Sequence, residues 1–75
     1  MPRFFFNVHD GKDLTDNEGT DLPDANAARN EAVSFAGSLL RELNGEFWLS
    51  QDWHIRVTDD AGETVCALRF STEPA

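Results

Sequence analysis

Two histidines, one cysteine, a run of carboxylates and three arginines are the side chains of this chain that offer chemistry. His9 and His54 each fall on the outward parity of an alternating stretch, Arg3 to His9 and Trp53 to Thr58. If the two stretches adjoin, the imidazoles can share a metal or act as acid and base. Two solvated surface histidines explain the same pattern more simply. Cys66 has inward parity, where a thiol behaves as a small hydrophobe and its thiolate is disfavoured. From Asp10 to Asp24 there are six carboxylates and one lysine. A calcium loop needs oxygen ligands at alternate positions before its glycine. Counted back from Gly19, those positions are Asn17 and Thr15, whereas Asp16 and Glu18 have the wrong parity. The run therefore reads as a solvated loop, and no metal or cofactor is assigned. Glycine-rich phosphate loops, zinc-ligand spacing and nucleophile elbows are all missing from the sequence. No residue is assigned a catalytic role.

The arginines form the more informative constellation. Outward parity on three expected strands collects Arg3, Phe5, His9, His54, Arg56, Val65, Ala67 and Arg69 on one sheet face. Three of the six Lys and Arg residues thus share a face, while carboxylates crowd the loops and helix ends. An ordinary solvated face, with Glu63 and threonines between the charges, explains the pattern most simply; such a face can also dock an acidic partner or another copy. It can also stack single-stranded nucleic acid on Phe5.

The elements that must position this face are organised around one helix, expected from Pro23 to Asn44. Asp24 is a suitable N-cap, Pro23 keeps the preceding chain extended, and Asn44-Gly45 is a stop signal. At 100° per residue, Ala25, Ala28, Ala32, Phe35, Ala36, Leu39, Leu40 and Leu43 fall within an arc of roughly 140°, the width of a core-facing stripe. Arg29 lies at the edge of that arc, where its stem packs and its guanidinium emerges. Gly37 faces away from the core.

Short strands flank the helix. Phe4, Phe6 and Val8 point inward, and Asp10-Gly11 signals a hairpin. Leu14, and then Thr20 to Leu22, are candidates for a return strand interrupted by Asp16 to Gly19. After the helix, Phe47, Trp48 and Leu49 are expected to fold back over its overhanging end. Trp53, Ile55 and Val57 then point inward, Asp59 to Gly62 suits a type I turn with a glycine bulge, and Thr64, Cys66, Leu68 and Phe70 form the last inward set. Residues 72–75 read as a frayed tail.

Seventy-five residues make one small domain, 1–75, with a core that is marginal without help from a staple or a partner. A single cysteine excludes an internal disulfide and points to a reducing cytoplasm. No run is apolar enough to span a membrane. The net charge of −8 opposes binding to nucleic acid or anionic membrane through the overall field.

The opening Met1-Pro2-Arg3-Phe4-Phe5-Phe6-Asn7-Val8-His9-Asp10-Gly11 resembles that of a family of short alphaproteobacterial proteins, a domain of unknown function. The likeness continues through Glu18 to Asp24, Ala27 to Ala32, and Ile55 to Gly62, and then along the strand to Phe70. Phe4 stands where Tyr is common in that family, and variability is expected from Phe47 to Trp53. The resemblance brings no catalytic residue, cofactor or substrate.

Together these readings give an α+β fold, ββαββ, with a mainly antiparallel sheet and one long helix across one face. The expected function is a small acidic cytoplasmic protein-interaction module without catalysis, acting through an unknown protein partner or self-association. The alternative is an anionic-ligand or single-stranded nucleic-acid binder that uses the basic outer face.

Overall fold

Alternation of apolar and polar side chains produces strands buried on one face only, and such strands must pair and then be covered. The computed structural model, which describes residues 2–9, 13–43 and 53–71, shows how this chain does both. Its elements are β1 (Arg3–His9), β2 (Asp13–Leu14), β3 (Thr20–Asp21), α1 (Ala25–Leu43), β4 (Trp53–Thr58) and β5 (Thr64–Phe70). The sheet runs β2-β1-β4-β5, with β3 also paired to β1, and every pairing is antiparallel. The expected α+β architecture, with one helix packed on an antiparallel sheet, is the one observed.

β2 and β3 act as two halves of one edge strand. Leu14 sits opposite Val8, Thr20 sits opposite Phe4, and the chain loops out between them. The interruption foreseen at Asp16 to Gly19 lies in that loop. β1 and β4 are the central pair, matching Phe6 to Val57, Val8 to Ile55 and His9 to His54.

The helix starts as its sequence requires. The Asp24 carboxylate accepts the Ala27 amide at 2.8 Å, and the Asp24 carbonyl accepts the Ala28 amide. Ala28, Ala32 and Ala36, spaced one turn apart, are buried to 3% exposure or less, so the helix backbone comes close to the sheet. Beneath them lie Trp53, Ile55 and Val57, all at 1% exposure or less, with Phe4, Phe6 and Val8 alongside. Phe35 meets Phe6 edge-on at 6.2 Å, and Trp53 contacts Phe70 at 5.2 Å.

The β4–β5 hairpin turns through Asp59. Its side chain accepts the Ala61 and Glu63 amides, and Gly62 takes a φ of 83° as the bulge residue. One expectation for β5 fails. A register shift beside Val57 and Thr58 sets Thr64 opposite Thr58 but Cys66 opposite Val57. One extra residue in a strand reverses the parity beyond it. Thr64, expected inward, is therefore exposed, and Val65, expected on the outer face, packs against the core. The Asp10-Gly11 and Asn44-Gly45 signals, the Phe47-Trp48-Leu49 connection and the tail lie outside the described residues. The Leu43 side chain does as well.

Candidate functional site

With α1 on one face of the sheet, the opposite face is left to the outward side chains of β1, β4 and β5. No described element covers it. Register decides what meets there. His9 and His54 are direct cross-strand partners, and their rings stack with centroids 4.9 Å apart and planes 26° from parallel. The His9 Nδ1 lies 2.6 Å from an Asp13 carboxylate oxygen, which fixes the ring against β2. The His54 Nδ1 is buried with no hydrogen-bond partner among the described residues.

Arg56 pairs with Asn7 on one side and Ala67 on the other, and His54 pairs with Arg69. Arg56, Ala67 and Arg69 are exposed. Asn7 binds the face together: its amide nitrogen donates to the Arg56 carbonyl and the Thr58 hydroxyl, and its amide oxygen accepts the Asp16 backbone N–H. A cleft of about 340 Å³ opens among His9, His54, Arg56, Asn7, Thr58 and Asp13.

Phe5 lies on this face, opposite Thr58, and is half-buried. Its ring rests against Gly19, where a Cβ would come within 2.9 Å of Phe5 and 2.7 Å of the Arg3 stem. Gly19 also has a φ of 75°, so both its conformation and its lack of a side chain are required. Arg3 is committed locally. Its Nε and one terminal nitrogen donate to Asp21, and the other donates to the Glu18 carbonyl. The hydrogen bond and charge of Arg3 hold the Asp21 carboxyl below its usual range, and Asp21 raises the Arg3 guanidinium in turn. Of the eight residues expected on the face, Phe5, His9, His54, Arg56, Ala67 and Arg69 come together. Arg3 forms a clamp at the edge, and Val65 belongs to the core.

Sequence reasoning missed the residue that holds the edge in shape. Asp16 sits in the gap between β2 and β3. It accepts the amides of Phe6 at 3.1 Å and of Glu18 and Gly19 at 3.0 Å. A carboxylate thus replaces the missing strand partner of Phe6. Burial alone would push its carboxyl up, but the amides of Gly19, Phe6 and Glu18 outweigh this and hold it below the usual range. The spacing Asp16-x-x-Gly19 was the available signal, hidden among the other acids of the loop.

A second cleft, of about 510 Å³, lies on the helix side of the same edge, where Phe6, Leu14, Phe35, Leu39 and Trp53 meet Glu31. Among the described residues no group of three or more His, Cys, Asp or Glu side chains is placed to hold a metal ion. No described helix is long and apolar enough to cross a membrane.

The sequence profile of a domain of unknown function, DUF6894, matches residues 3–71. The chain belongs to the DUF6894 family. The match spans all five strands and the helix, so both the outer face and the Asp16 edge lie within the DUF6894 domain. No curated protein and no solved structure matches the chain.

Proposed function

We propose that this DUF6894 chain is a non-catalytic protein-interaction module that docks an acidic partner surface on the outer face of its sheet. The observation that carries this reading is charge placed against the molecule's own field. In a chain of net charge −8, Arg56 joins His9 and His54 on a face that no described element covers, with half-buried Phe5 at its other end. Cationic groups steer an acidic partner, while Phe5 and Ala67 supply the apolar contact that holds it. The side chains are rigidly presented, because Asn7 and Asp13 tie the face to its neighbouring strands. Cys66 is a free thiol, which suits a reducing cytoplasm.

An anionic small ligand or a nucleic-acid strand would use the same face. Phe5 offers only part of its ring for stacking, since the ring rests on Gly19, and the net charge repels a long polyanion. The test is fluorescence anisotropy with a labelled oligoglutamate peptide and, in parallel, a labelled single-stranded oligonucleotide. The peptide is expected to bind and to weaken with added salt, and Arg56→Glu and Phe5→Glu are expected to abolish its binding. Tighter binding of the oligonucleotide, or peptide binding indifferent to both substitutions, would overturn the reading.

A further inference from the structure

The two stacked imidazoles of the outer face differ in what their ring nitrogens meet. An ionised carboxylate can only accept, so the Asp13 oxygen 2.6 Å from His9 Nδ1 fixes a proton on that nitrogen. Neutral His9 therefore carries its lone pair on Nε2. An anionic group arriving there meets an acceptor, and it finds a donor only when the ring takes a further proton.

His54 stands in the opposite position. Its Nδ1 is buried and has no partner among the described residues. A charged imidazole has two N–H groups to satisfy, and at Nδ1 His54 meets no described acceptor. Two charges in a stack with centroids 4.9 Å apart also repel, whereas a neutral His54 ring can lie against a charged His9 ring. The pair therefore takes one added proton, on His9. The charge of the cleft turns on that proton. Among the described residues that line it, Arg56 from β4 and Asp13 from β2 carry the formal charges, and these cancel. Arg69 is the cross-strand neighbour of His54 on β5.

We propose that this cleft binds one carboxylate of the acidic partner together with one proton, which His9 takes up. This coupling rests on the docking role proposed above and adds its regulation. A proton on His9 leaves the cleft net positive, with Nε2–H and the Arg56 guanidinium as its cationic donors. Asp13 keeps its hold on Nδ1, so the ring is charged without being released from β2. Imidazole is the side chain that changes charge between about pH 5 and 8. Glutamate carboxylates, which titrate near 4.3, stay ionised through most of that range. The complex holds more protons than the free chain, so affinity rises as pH falls, by at most about tenfold per pH unit for one proton. Reciprocally, a docked carboxylate favours the charged form of His9.

Anisotropy titrations of the full chain with labelled oligoglutamate, at fixed salt from about pH 5.5 to about pH 8, test the coupling. The parent is expected to bind about tenfold or more tighter at the acid end. His9→Gln, with unchanged circular dichroism, is expected to vary by less than about twofold over the same range. His54→Gln is expected to keep the slope, because the proton is not on its ring. Calorimetry of the parent in buffers of different ionisation enthalpy reads the proton directly, and uptake on peptide binding is expected near neutral pH. Peptide binding without uptake, or with an affinity flat in pH, would overturn the coupling and leave the docking face standing. So would a slope that survives His9→Gln or is lost in His54→Gln. Arg56→Glu should abolish binding at every pH, which reports on the docking face alone. A parent that binds no peptide at any pH would overturn both.

Discussion

Asp16→Ala should be the most damaging single change outside the apolar core. The carboxylate accepts three backbone amides, one of which, from Phe6, belongs to a core strand. A hydrogen bond to a charged group contributes about 1.5–3 kcal/mol, and a part-buried amide left unpaired loses most of that. The Glu18 bond is exposed and Gly19 is itself only half-buried, so water replaces much of the lost acceptor and reduces these contributions to about 0.5–1 kcal/mol each. The expected total is about 2–4 kcal/mol, from a domain whose whole stability is about 4–11 kcal/mol. At about 4–8 °C per kcal/mol, Tm should fall by roughly 8–32 °C. The pH dependence follows from the depressed carboxyl. In the unfolded chain the group titrates near 3.9. In the folded chain it titrates lower, so its contribution is complete above the unfolded value and is lost as pH falls through the folded one. Thermal melts from neutral to acid pH should therefore show a steep acid limb in the parent and a shallower one in Asp16→Ala. A variant that melts within about 4 °C of the parent and keeps the same acid limb would refute the edge-capping account.

Three further outcomes follow from the same geometry. Asp24→Ala removes the acceptor of the Ala27 amide and should cost about 0.5–2 kcal/mol, read by urea denaturation with an unchanged m-value. Ile55→Ala, at a fully buried position, should cost about 2–5 kcal/mol, and Leu39→Ala should cost less because Leu39 is only half-buried; a reversed order in the same melts would contradict the packing described. Gly19→Ala should destabilise by about 1–3 kcal/mol through its positive φ and the clash with Arg3 and Phe5, and should displace the Phe5 ring resonances in NMR spectra.

The parts of the fold legible in the sequence were those governed by local periodicity. Phe4-x-Phe6-x-Val8 and Trp53-x-Ile55-x-Val57 could only be strands with one buried face, and Asp24 before an alanine stripe could only begin a helix. Outward parity correctly brought His9, His54 and Arg56 onto one face, because β1 and β4 pair without a bulge. Parity failed at Val65, where one extra residue in β5 reversed the inside and the outside. That insertion leaves no mark in a pattern of hydrophobicity. Arg3 was placed correctly by parity, but its Asp21 partner lies eighteen residues away and depends on β3 pairing with β1. The role of Asp16 was hidden for a related reason. Six carboxylates in one loop look alike until the fold shows which of them faces an unpaired amide.

The central claim is that the outer sheet face, which no described element covers, is a docking surface for acidic groups. The most direct measurement is amide chemical-shift mapping of the labelled chain titrated with oligoglutamate. The account predicts saturable shifts clustered at Phe5, His9, His54, Arg56 and Ala67, reduced by salt and lost in Arg56→Glu, with Val33 and Gly37 unmoved. Shifts confined to the helix or scattered without saturation would contradict it.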